Sequence, residues 1–445
     1  SQIPFRIGTL FAILLSLGLS LIASGPIASG ESPARPARMT PTATAWSEFH
    51  GAKGQGYTPH GSLPNRWSEE DYAWRHHSGA YNVGSPIIAE DRVIFLSSNA
   101  EAQTISVRAL ELTTGEIAWT HSFPHHVGRL HARNTAASST PAADGSHIYC
   151  AWSDPQQTTL KCFDFEGHEI WSRDFGRWQS QHGFGTSPRV FGSLVLLFNS
   201  QQAEQIKAGE SPGQSRMIAV DRETGETVWE TPLKTTHTCY GVPAIFQPQR
   251  GRAQIIDADT GNGMFGIDAQ SGALLWSLPV FSARCCSSPL VVGDLAIATA
   301  GSGGGGNHLV AVRIPKSKQE QPEQVYRIDR GSPYVPTPAL KGDRLFMIDD
   351  KGIASCVEVM TGQTVWKERI GGNFGASPII VDDKALIISL DGKATIFRAS
   401  DRFEKLGEVD LGGSVGATPA YSKGRLLLRV GEEVRCLETA SVASG

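Results

Sequence analysis

The sequence has no excess of basic residues and none of the common sequence motifs of hydrolases or nucleotide-binding enzymes. Lysine and arginine number 40 against 44 aspartate and glutamate residues, and the formal net charge is −4. Binding to nucleic acid or to an anionic membrane surface needs an excess of positive charge, so neither partner is predicted. Gly-x-Ser-x-Gly, His-Glu-x-x-His and the phosphate-binding loop are also absent. The sequence therefore predicts no catalytic residue and no metal site.

The chain also lacks cysteine before Cys150, and its one long apolar run stands at the beginning. Arg6 precedes apolar residues from Ile7 to about Ala23, and small residues follow. This pattern predicts a signal peptide over residues 1–30, with an uncleaved membrane anchor as the alternative. The missing cysteine argues against lipid attachment at the cleavage site. Residues 31–45 are rich in Pro, Ala, Thr and Arg and predict a flexible linker, so we expect an exported protein, periplasmic or secreted.

A short repeat organises the rest of the chain. Its clearest copy, from Asp221 to Trp229, predicts the end of a strand, a tight turn closed by glycine, and a second strand that carries tryptophan. The glycine always stands four residues before the tryptophan. The five copies are Gly115–Trp119, Gly167–Trp171, Gly225–Trp229, Gly272–Trp276 and Gly362–Trp366. Tyr326 replaces the tryptophan in the fifth unit, and Leu406 is expected at that place in the seventh.

A second marker, Ser or Thr before Pro, precedes an apolar strand in each unit. The copies begin at Ser85, Thr140, Ser187, Ser288, Thr337, Ser377 and Thr418, with Val242 as a variant. From Pro86 to Pro419 the chain covers 333 residues in seven steps, a mean of about 48. This period is typical of four-stranded propeller blades, and the 48 glycines and 25 prolines suit many short strands joined by turns.

The last unit, Thr418 to Thr439, has residues for three strands, and Tyr72 to His76 is predicted to supply the fourth. A strand from the beginning of the chain would close the ring and remove two exposed sheet edges. The predicted fold is therefore all-β. It is an eight-bladed β-propeller of four-stranded antiparallel blades over residues 46–445, with the last blade closed by an N-terminal strand.

Most of the seven cysteines have a packing explanation. Cys162, Cys356 and Cys436 fall in a column of small residues before the turn, where cysteine acts as a small apolar residue. Cys150 is a candidate to face Cys162 across a hairpin. The adjacent pair Cys285 and Cys286 has two interpretations, either two core thiols or a vicinal disulfide at a functional surface.

The repeat from Ala219 to Trp229 resembles that of the pyrroloquinoline-quinone-like (PQQ-like) propellers. This family includes quinoprotein alcohol dehydrogenases and the propeller subunit of the outer-membrane β-barrel assembly machinery. Three further stretches, Trp46–Gly56, His131–Asn134 and Gly301–Asn307, resemble exported propellers of this group, often of the planctomycete type. The resemblance extends from Trp46 to Thr439. It implies the scaffold and leaves the function open, because one fold serves many functions.

For the enzymes of this family, the resemblance implies a quinone with three carboxylates, a calcium ion held by oxygen ligands, and a carboxylate base. Cys285 and Cys286 beside Arg284 resemble part of such a site. Asp257, Asp259 and Asn262 are candidate oxygen ligands, but their spacing is also common in surface turns. No Cys-x-x-Cys-His haem sequence is present, and such dehydrogenases are usually longer. We therefore expect no cofactor, with pyrroloquinoline quinone and calcium as the alternative.

Polar residues that vary from blade to blade precede the inner strands. If these segments meet at one mouth of the channel, they would form a binding site for a small polar ligand or a protein partner. The alternative is that they satisfy loop backbone groups. The candidates are Asn82, His131, Asn134, His182, His237, Tyr240, Arg284 and Asn373. A second group of histidines has a metal site as one interpretation, but their spacing fits no strong ligand motif, so we expect solvated loop histidines. They are His76, His77, His121, His125 and His126.

The sequence thus predicts an exported, non-enzymatic propeller that serves as a binding or envelope-assembly scaffold. The alternative is a quinoprotein dehydrogenase that oxidises an alcohol or a sugar.

Overall fold

A computed structural model describes residues 46–439, which form eight β-sheets around a central channel. Each sheet contains one blade, and the four strands of a blade lie antiparallel to each other from the channel outwards. The all-β, eight-bladed prediction is confirmed. The predicted signal peptide (1–30) and linker (31–45) lie outside the described residues. Between residues 46 and 439, no helix is long and apolar enough to cross a membrane.

The strands are numbered in chain order. Two short 3-10 turns, Ala52–Gly54 and Glu69–Asp71, and two strands, β1 (Tyr57–Thr58) and β2 (Tyr72–His77), precede the first blade. Blade 1 is β3 (Ile87–Ala89), β4 (Arg92–Asn99), β5 (Thr104–Glu111) and β6 (Ile117–Pro124). Blade 2 is β7 (Ala142–Ala143), β8 (His147–Ser153), β9 (Thr158–Asp164) and β10 (Glu169–Asp174). Blade 3 is β11 (Arg189–Phe191), β12 (Leu194–Asn199), β13 (Arg216–Asp221) and β14 (Thr227–Pro232). Blade 4 is β15 (Ala244–Phe246), β16 (Gln254–Asp259), β17 (Gly263–Asp268) and β18 (Leu274–Leu278).

The second half of the ring repeats this order. Blade 5 is β19 (Leu290–Val292), β20 (Leu295–Ala300), β21 (His308–Arg313) and β22 (Glu323–Ile328). Blade 6 is β23 (Ala339–Lys341), β24 (Arg344–Ile348), β25 (Ile353–Glu358) and β26 (Thr364–Arg369). Blade 7 is β27 (Ile379–Val381), β28 (Lys384–Ile388), β29 (Lys393–Arg398) and β30 (Lys405–Asp410). Blade 8 is β31 (Ala420–Ser422), β32 (Arg425–Val430) and β33 (Glu433–Glu438), completed by β2.

Strand β2 closes the ring as predicted. It pairs antiparallel with β33, and Trp74 lies opposite Cys436. The last blade therefore combines a strand that precedes blade 1 in the sequence with the three final strands, and both edges that the split would expose are paired.

The two middle strands of each blade are buried on both faces because each blade packs between two others. Leu295–Ala300 is buried throughout, and so is Gln254–Asp259. Strands such as Leu295–Ala300 consequently have nearly continuous apolar sequences instead of alternating ones, whereas Gln254–Asp259 also buries two aspartates. The fourth strands, at the rim, are more exposed, and along each of them exposed residues alternate with residues that are partly or fully buried.

Most of the repeat tryptophans pack on the turn of the next blade, whereas Trp276 donates from Nε1 to Gln254 of its own blade. Trp171 of blade 2 donates from Nε1 to the carbonyl of Arg222, 3.0 Å away, and its indole covers Gly225. Trp74, Trp119 and Trp229 cover Gly115, Gly167 and Gly272 in the same way, and Tyr326 covers Gly362. The glycine and the tryptophan that stand four residues apart in one unit therefore belong to two different contacts. The glycine packs against the aromatic ring of the preceding blade, and the tryptophan packs on the glycine of the next blade.

The column of small residues faces the tryptophan of the same blade. Ala219 lies opposite Trp229, and Cys162, Cys356 and Cys436 are fully buried at equivalent places. The packing explanation for these three cysteines is confirmed. Cys150 lies opposite Lys161, so the prediction that it faces Cys162 is wrong.

Blade 7 departs from the predicted repeat. Gly407, and not Leu406, stands opposite Ile396 at the place of the tryptophan. A side chain on Gly407 would overlap the backbone of Asn65, at 1.7 Å from its carbonyl oxygen. The N-terminal segment therefore occupies the space that an indole fills in other blades, and buried Trp67 lies in the adjacent core.

Residues 46–58, called the plug below, fill the far end of the central channel. Trp46 exchanges two backbone hydrogen bonds with Ile88 of blade 1, at 2.9 and 3.2 Å. Strand β1 pairs in parallel with β27 of blade 7. Between them, Glu48 forms an ion pair of 3.2 Å with Arg189 of blade 3. The plug thus contacts blades on opposite sides of the ring.

The Ser/Thr residues before proline form a hydrogen-bonded ring around the channel. In seven of the eight joints between blades, the hydroxyl oxygen accepts the backbone N–H of the equivalent residue in the preceding blade. The donor and acceptor pairs are Ser85–Thr140, Thr140–Ser187, Val242–Ser288, Ser288–Thr337, Thr337–Ser377, Ser377–Thr418 and Thr418–Ser85, at 2.9 to 3.2 Å. The eighth joint is different because Val242 offers no hydroxyl to Ser187. This hydroxyl ring explains why the dipeptide recurs in the sequence.

Candidate functional site

A cavity of about 620 Å³ opens at one mouth of the channel. Its wall includes the hydroxyl ring, and Phe49 from the plug also lines it. The plug contacts residues further along the inner strands, such as Ile88, three positions after Ser85. The cavity therefore has one entrance and a floor, and its volume is in the range of small-molecule sites.

Five of the eight residues predicted for the channel mouth line this cavity: His131, Asn134, His182, Tyr240 and Arg284. They come from the segments before blades 2, 3, 4 and 5. Asn134 donates from Nδ2 to the carbonyl oxygens of His182 and Phe184, at 2.7 and 3.2 Å, and joins two of these segments. The predicted convergence of loops is thus present, although the binding roles of these residues stay predictions.

The other three predicted residues lie outside the cavity lining. Asn82 is buried in blade 1, where its Oδ1 accepts from Ser98 at 2.7 Å. His237 is half-buried and contacts Thr236. Asn373 is exposed, and its carbonyl accepts the N–H of Leu390. Asn82 and Asn373 thus contribute to local loop structure, which was the alternative interpretation.

Arg133 lines the cavity but was not selected from the sequence. It stands in the segment before blade 2, and its guanidinium reaches Asp350 of blade 6 at 3.3 Å. Nη2 also donates to the carbonyl of Phe374 at 2.7 Å. One side chain therefore connects opposite sides of the mouth. The motif His131–Asn134 was the available signal, but nothing in it shows a contact across 217 residues.

Arg284 is a half-buried cation without a carboxylate partner among the described residues. Its Nε donates to the carbonyl of Thr238 at 2.8 Å, and Tyr240 and Tyr334 lie close to its guanidinium. None of the ion pairs formed by residues 46–439 includes it. A guanidinium shielded from water attracts an anionic group, so Arg284 gives the cavity a positive site for a ligand.

Two histidines lie beside these arginines. The rings of His131 and His182 meet edge to face, with centroids 5.0 Å apart. Burial, together with the charges of Arg284 and His131, lowers the pKa of His182 to about 4. His182 is therefore neutral at physiological pH and offers a hydrogen-bonding ring instead of a second charge.

All seven cysteines are free thiols in the structure. Cys286 lines the cavity, whereas Cys285 is buried behind it. Burial raises the pKa of the Cys286 thiol to about 12, so it carries no negative charge at neutral pH. The vicinal disulfide between the two residues stays a prediction.

Asp257 and Asp259 lie in β16 and are fully buried, so the surface-turn interpretation is wrong for these two residues. Asn262 stands in the turn that follows β16. Asp259 is occupied by the N–H groups of Gly261 and Asn262 and by the hydroxyl of Thr235. Asp257 is buried with one carboxylate oxygen unpartnered, and burial raises its pKa well above the usual range.

These carboxylates do not line the cavity, and no other Asp or Glu of the described chain does so. Arg133 and Arg284 suit the carboxylates of a quinone, but calcium needs several oxygen ligands and usually carboxylates among them. The residues present therefore do not fit a quinone–calcium centre, and no carboxylate is placed to act as its base.

Most of the histidines that were expected in solvated loops lie in strands or are buried. His76 and His77 belong to β2, and His121 belongs to β6 and stacks on Phe163. His125 is buried and its Nε2 contacts the carbonyl of Ser153 at 3.2 Å. The prediction is wrong for these four residues. Within residues 46–439, no cluster of His, Cys, Asp and Glu is arranged to hold a metal ion.

Comparison with known proteins agrees with this architecture. The model of the PQQ-like repeat family that is described as "Outer membrane protein assembly factor BamB" matches residues 103–368. The factor of that name from Shewanella oneidensis is 23% identical over 314 residues, which are 66% of this chain and 73% of the relative. The Yersinia pestis factor is 22% identical over 283 residues, 59% of this chain and 66% of the relative.

Solved structures show the same fold at low identity. BamB from Moraxella catarrhalis has a TM-score of 0.56 and 14% identity, covering 82% of this chain and 98% of its own. The quinohemoprotein alcohol dehydrogenase from Comamonas testosteroni has a TM-score of 0.62 and 12% identity, covering 90% of this chain and 82% of its own. At these identities the structures support the fold alone. The repeat, the eight blades and the match to the family model together show that this chain belongs to the PQQ-like repeat family described as outer membrane protein assembly factor BamB.

Proposed function

We propose that this protein is an exported, non-enzymatic propeller that acts as a binding scaffold in assembly of the cell envelope. The observation that carries the proposal is the chemistry of the cavity. It combines two arginines, a ring of hydroxyl groups and a single entrance, and no carboxylate of the described chain lines it. Such a wall can bind an acidic or polar group, but it offers no carboxylate general base.

The family supports the part of the proposal that concerns assembly. The description of the family and the names of the relatives from Shewanella oneidensis and Yersinia pestis refer to assembly of outer-membrane proteins. Proteins of such a system act through contacts with other proteins, and Arg284 at the mouth offers a charge to an acidic group of a partner.

A pull-down from envelope extract tests this function. We expect the immobilised propeller to capture components of the β-barrel assembly machinery, and Arg284→Gln to reduce the capture several-fold. Arg327→Gln is the matched control, because Arg327 pairs with Asp329 on the outer strand of blade 5, away from the cavity. Capture of no such component, or equal loss in both variants, would contradict the proposal.

A quinoprotein dehydrogenase is the second candidate, and the specific observation in its favour is the pair Arg133 and Arg284 at one cavity. These guanidinium groups could hold the carboxylates of pyrroloquinoline quinone. Titration of the purified protein with the quinone and calcium distinguishes the two functions. Dye-linked oxidation of an alcohol or a sugar would favour the dehydrogenase, and an unchanged absorbance spectrum would exclude it.

A further inference from the structure

The residues three positions before the hydroxyl ring form a second buried column around the channel. Each lies in the segment just before the inner strand of its blade. The column consists of Asn82, Ala137, Phe184, Cys239, Cys285, Tyr334, Phe374 and Val415. Cysteine occupies it in blades 4 and 5, which are neighbours in the ring. Two thiols that are 46 residues apart in sequence are thus placed side by side by the repeat.

The backbones that carry these thiols are directly bonded to each other. The N–H of Tyr240 donates to the carbonyl of Cys285 at 2.9 Å. The N–H of Cys285 lies 3.4 Å from the Sγ of Cys239. The neighbouring Cys239 thiol adds to the effect of burial in raising the pKa of the Cys285 thiol, and each residue is only 1% exposed. Such proximity is what a disulfide requires, because its sulfurs must meet without a large movement of the backbone.

Cys286 is placed differently. Its side chain lines the cavity, whereas Cys285 packs in the hydrophobic core between blades together with Cys239. The two adjacent cysteines therefore point to opposite sides of the loop. A bond between Cys285 and Cys286 would need both side chains to turn toward each other, but a bond between Cys285 and Cys239 would not.

We propose that Cys239 and Cys285 form a disulfide that joins blades 4 and 5, and that Cys286 remains a free thiol in the cavity. The part of this proposal that concerns the living cell rests on the proposed export, since disulfides persist in exported proteins. The oxidant is a disulfide of the glutathione type. One cysteine attacks it as the thiolate, and the second displaces glutathione from the mixed disulfide. One S–S bond forms in the protein, one breaks in the oxidant, and two glutathione thiols carry away the two electrons and two protons.

Peptide mapping of the purified protein tests the pairing. After reduction and equilibration with glutathione disulfide, trypsin cleaves at Lys234, Arg250, Arg284 and Arg313. We expect the peptide 235–250 to be joined to the peptide 285–313, and the number of free thiols to fall by two, from seven to five. A vicinal bond would instead remain within the peptide 285–313, so the two pairings give different masses.

Single variants identify the sulfur in the second peptide. Cys286→Ser should retain the joined peptides, whereas Cys239→Ala and Cys285→Ala should lose them. The wild-type map alone is decisive if an alanine variant fails to fold. Joined peptides in Cys285→Ala, or a wild-type map in which Cys239 stays reduced, would overturn the proposal.

The same assay separates the pairing from the proposed export. Oxidation of the purified protein does not depend on where the protein resides in the cell. Joined peptides in the purified protein, with reduced thiols in protein alkylated directly in cells, would support the pairing and contradict export.

Discussion

Gly225 lies directly against the indole of Trp171, which belongs to the preceding blade. A Cβ atom on Gly225 would stand 2.6 Å from the ring, closer than any real contact. The residue also has a φ of +72°, a conformation that disfavours side chains. Two independent constraints thus require glycine here. The tryptophan four residues further on, Trp229, covers Gly272 of the next blade and continues the pattern around the ring.

Substitution of Gly225 by alanine should lower the free energy of unfolding more than the same substitution in a turn without a packed neighbour. The positive φ costs about 1–2 kcal/mol, and the overlap with Trp171 adds about 1–3 kcal/mol. Gly192 is the matched control in the same blade, because it has a φ of +58° and no atom within 4 Å of its Cβ position. Urea unfolding should show a larger loss for Gly225→Ala than for Gly192→Ala. Equal losses would show that the indole contact is unimportant.

Thr337 and Val242 provide opposite tests of the hydroxyl ring. Thr337→Val keeps the shape of the side chain but removes the acceptor for the N–H of Ser288, so unfolding free energy should fall by about 1–2 kcal/mol. Val242→Thr supplies the acceptor that Ser187 lacks on blade 4, and should raise the unfolding free energy by about 0.5–1 kcal/mol. Thermal and urea unfolding report both changes. A loss of stability in Val242→Thr would contradict the view that each hydroxyl of the ring stabilises the joint between two blades.

His50 should make the plug sensitive to acid. Burial lowers the pKa of its imidazole from 6.5 to about 4, although hydrogen bonds to the carbonyls of Pro378 and Gly54 act in the opposite direction. Between pH 6.5 and 4 the unfolded chain binds a proton at this residue and the folded protein does not. Stability from this residue is therefore complete above pH 6.5 and decreases as the pH falls, by up to about 3 kcal/mol.

The variant His50→Gln keeps a donor for Pro378 and removes the titration, so its unfolding free energy should change less between pH 7 and 4.5 than that of the wild type. His168→Gln is the control. Its hydrogen bond with Asp164 raises the pKa of His168, so this ion pair stabilises the folded protein more at acid pH. In His168→Gln the unfolding free energy should therefore decrease more between pH 7 and 4.5 than in the wild type. An unchanged pH profile in His50→Gln would refute the assignment.

Asp257→Asn should stabilise the protein at neutral pH. Burial raises the pKa of Asp257 well above 3.8, and one carboxylate oxygen has no partner in the described structure. Above pH 3.8 the unfolded chain releases this proton while the folded protein retains it, so stability falls as the pH rises. Asparagine removes that cost, and we expect a gain of about 1–3 kcal/mol at pH 7 that shrinks toward pH 4.

Asp268→Asn in the same blade is the control for this substitution. Although burial raises the pKa of Asp268, hydrogen bonds from Ser271, Arg252 and Gln270 together lower it. Its loss should therefore destabilise the protein at pH 7. Stabilisation by both variants would point to a general effect of charge instead of the burial of Asp257.

The fold could be predicted from the sequence because glycine, tryptophan and Ser/Thr-Pro each mark a contact that recurs in almost every blade. The cavity could be predicted only in part. His131 and Arg284 were found because they interrupt the repeat next to an inner strand. Arg133 was missed because its partner, Asp350, belongs to the opposite side of the ring. Asp257 was misplaced because a short Asp-x-Asp spacing cannot distinguish a buried strand from a turn.

The plug has a consequence for how the protein is made. Residues 46–58 leave the ribosome before every blade, yet their contacts include blades 3, 6 and 7, and β2 pairs with β33 of the last blade. The first part of the propeller to be synthesised is therefore the last that can settle into place. Until β33 has been made, the nascent ring has neither a complete floor to its cavity nor a closed seam.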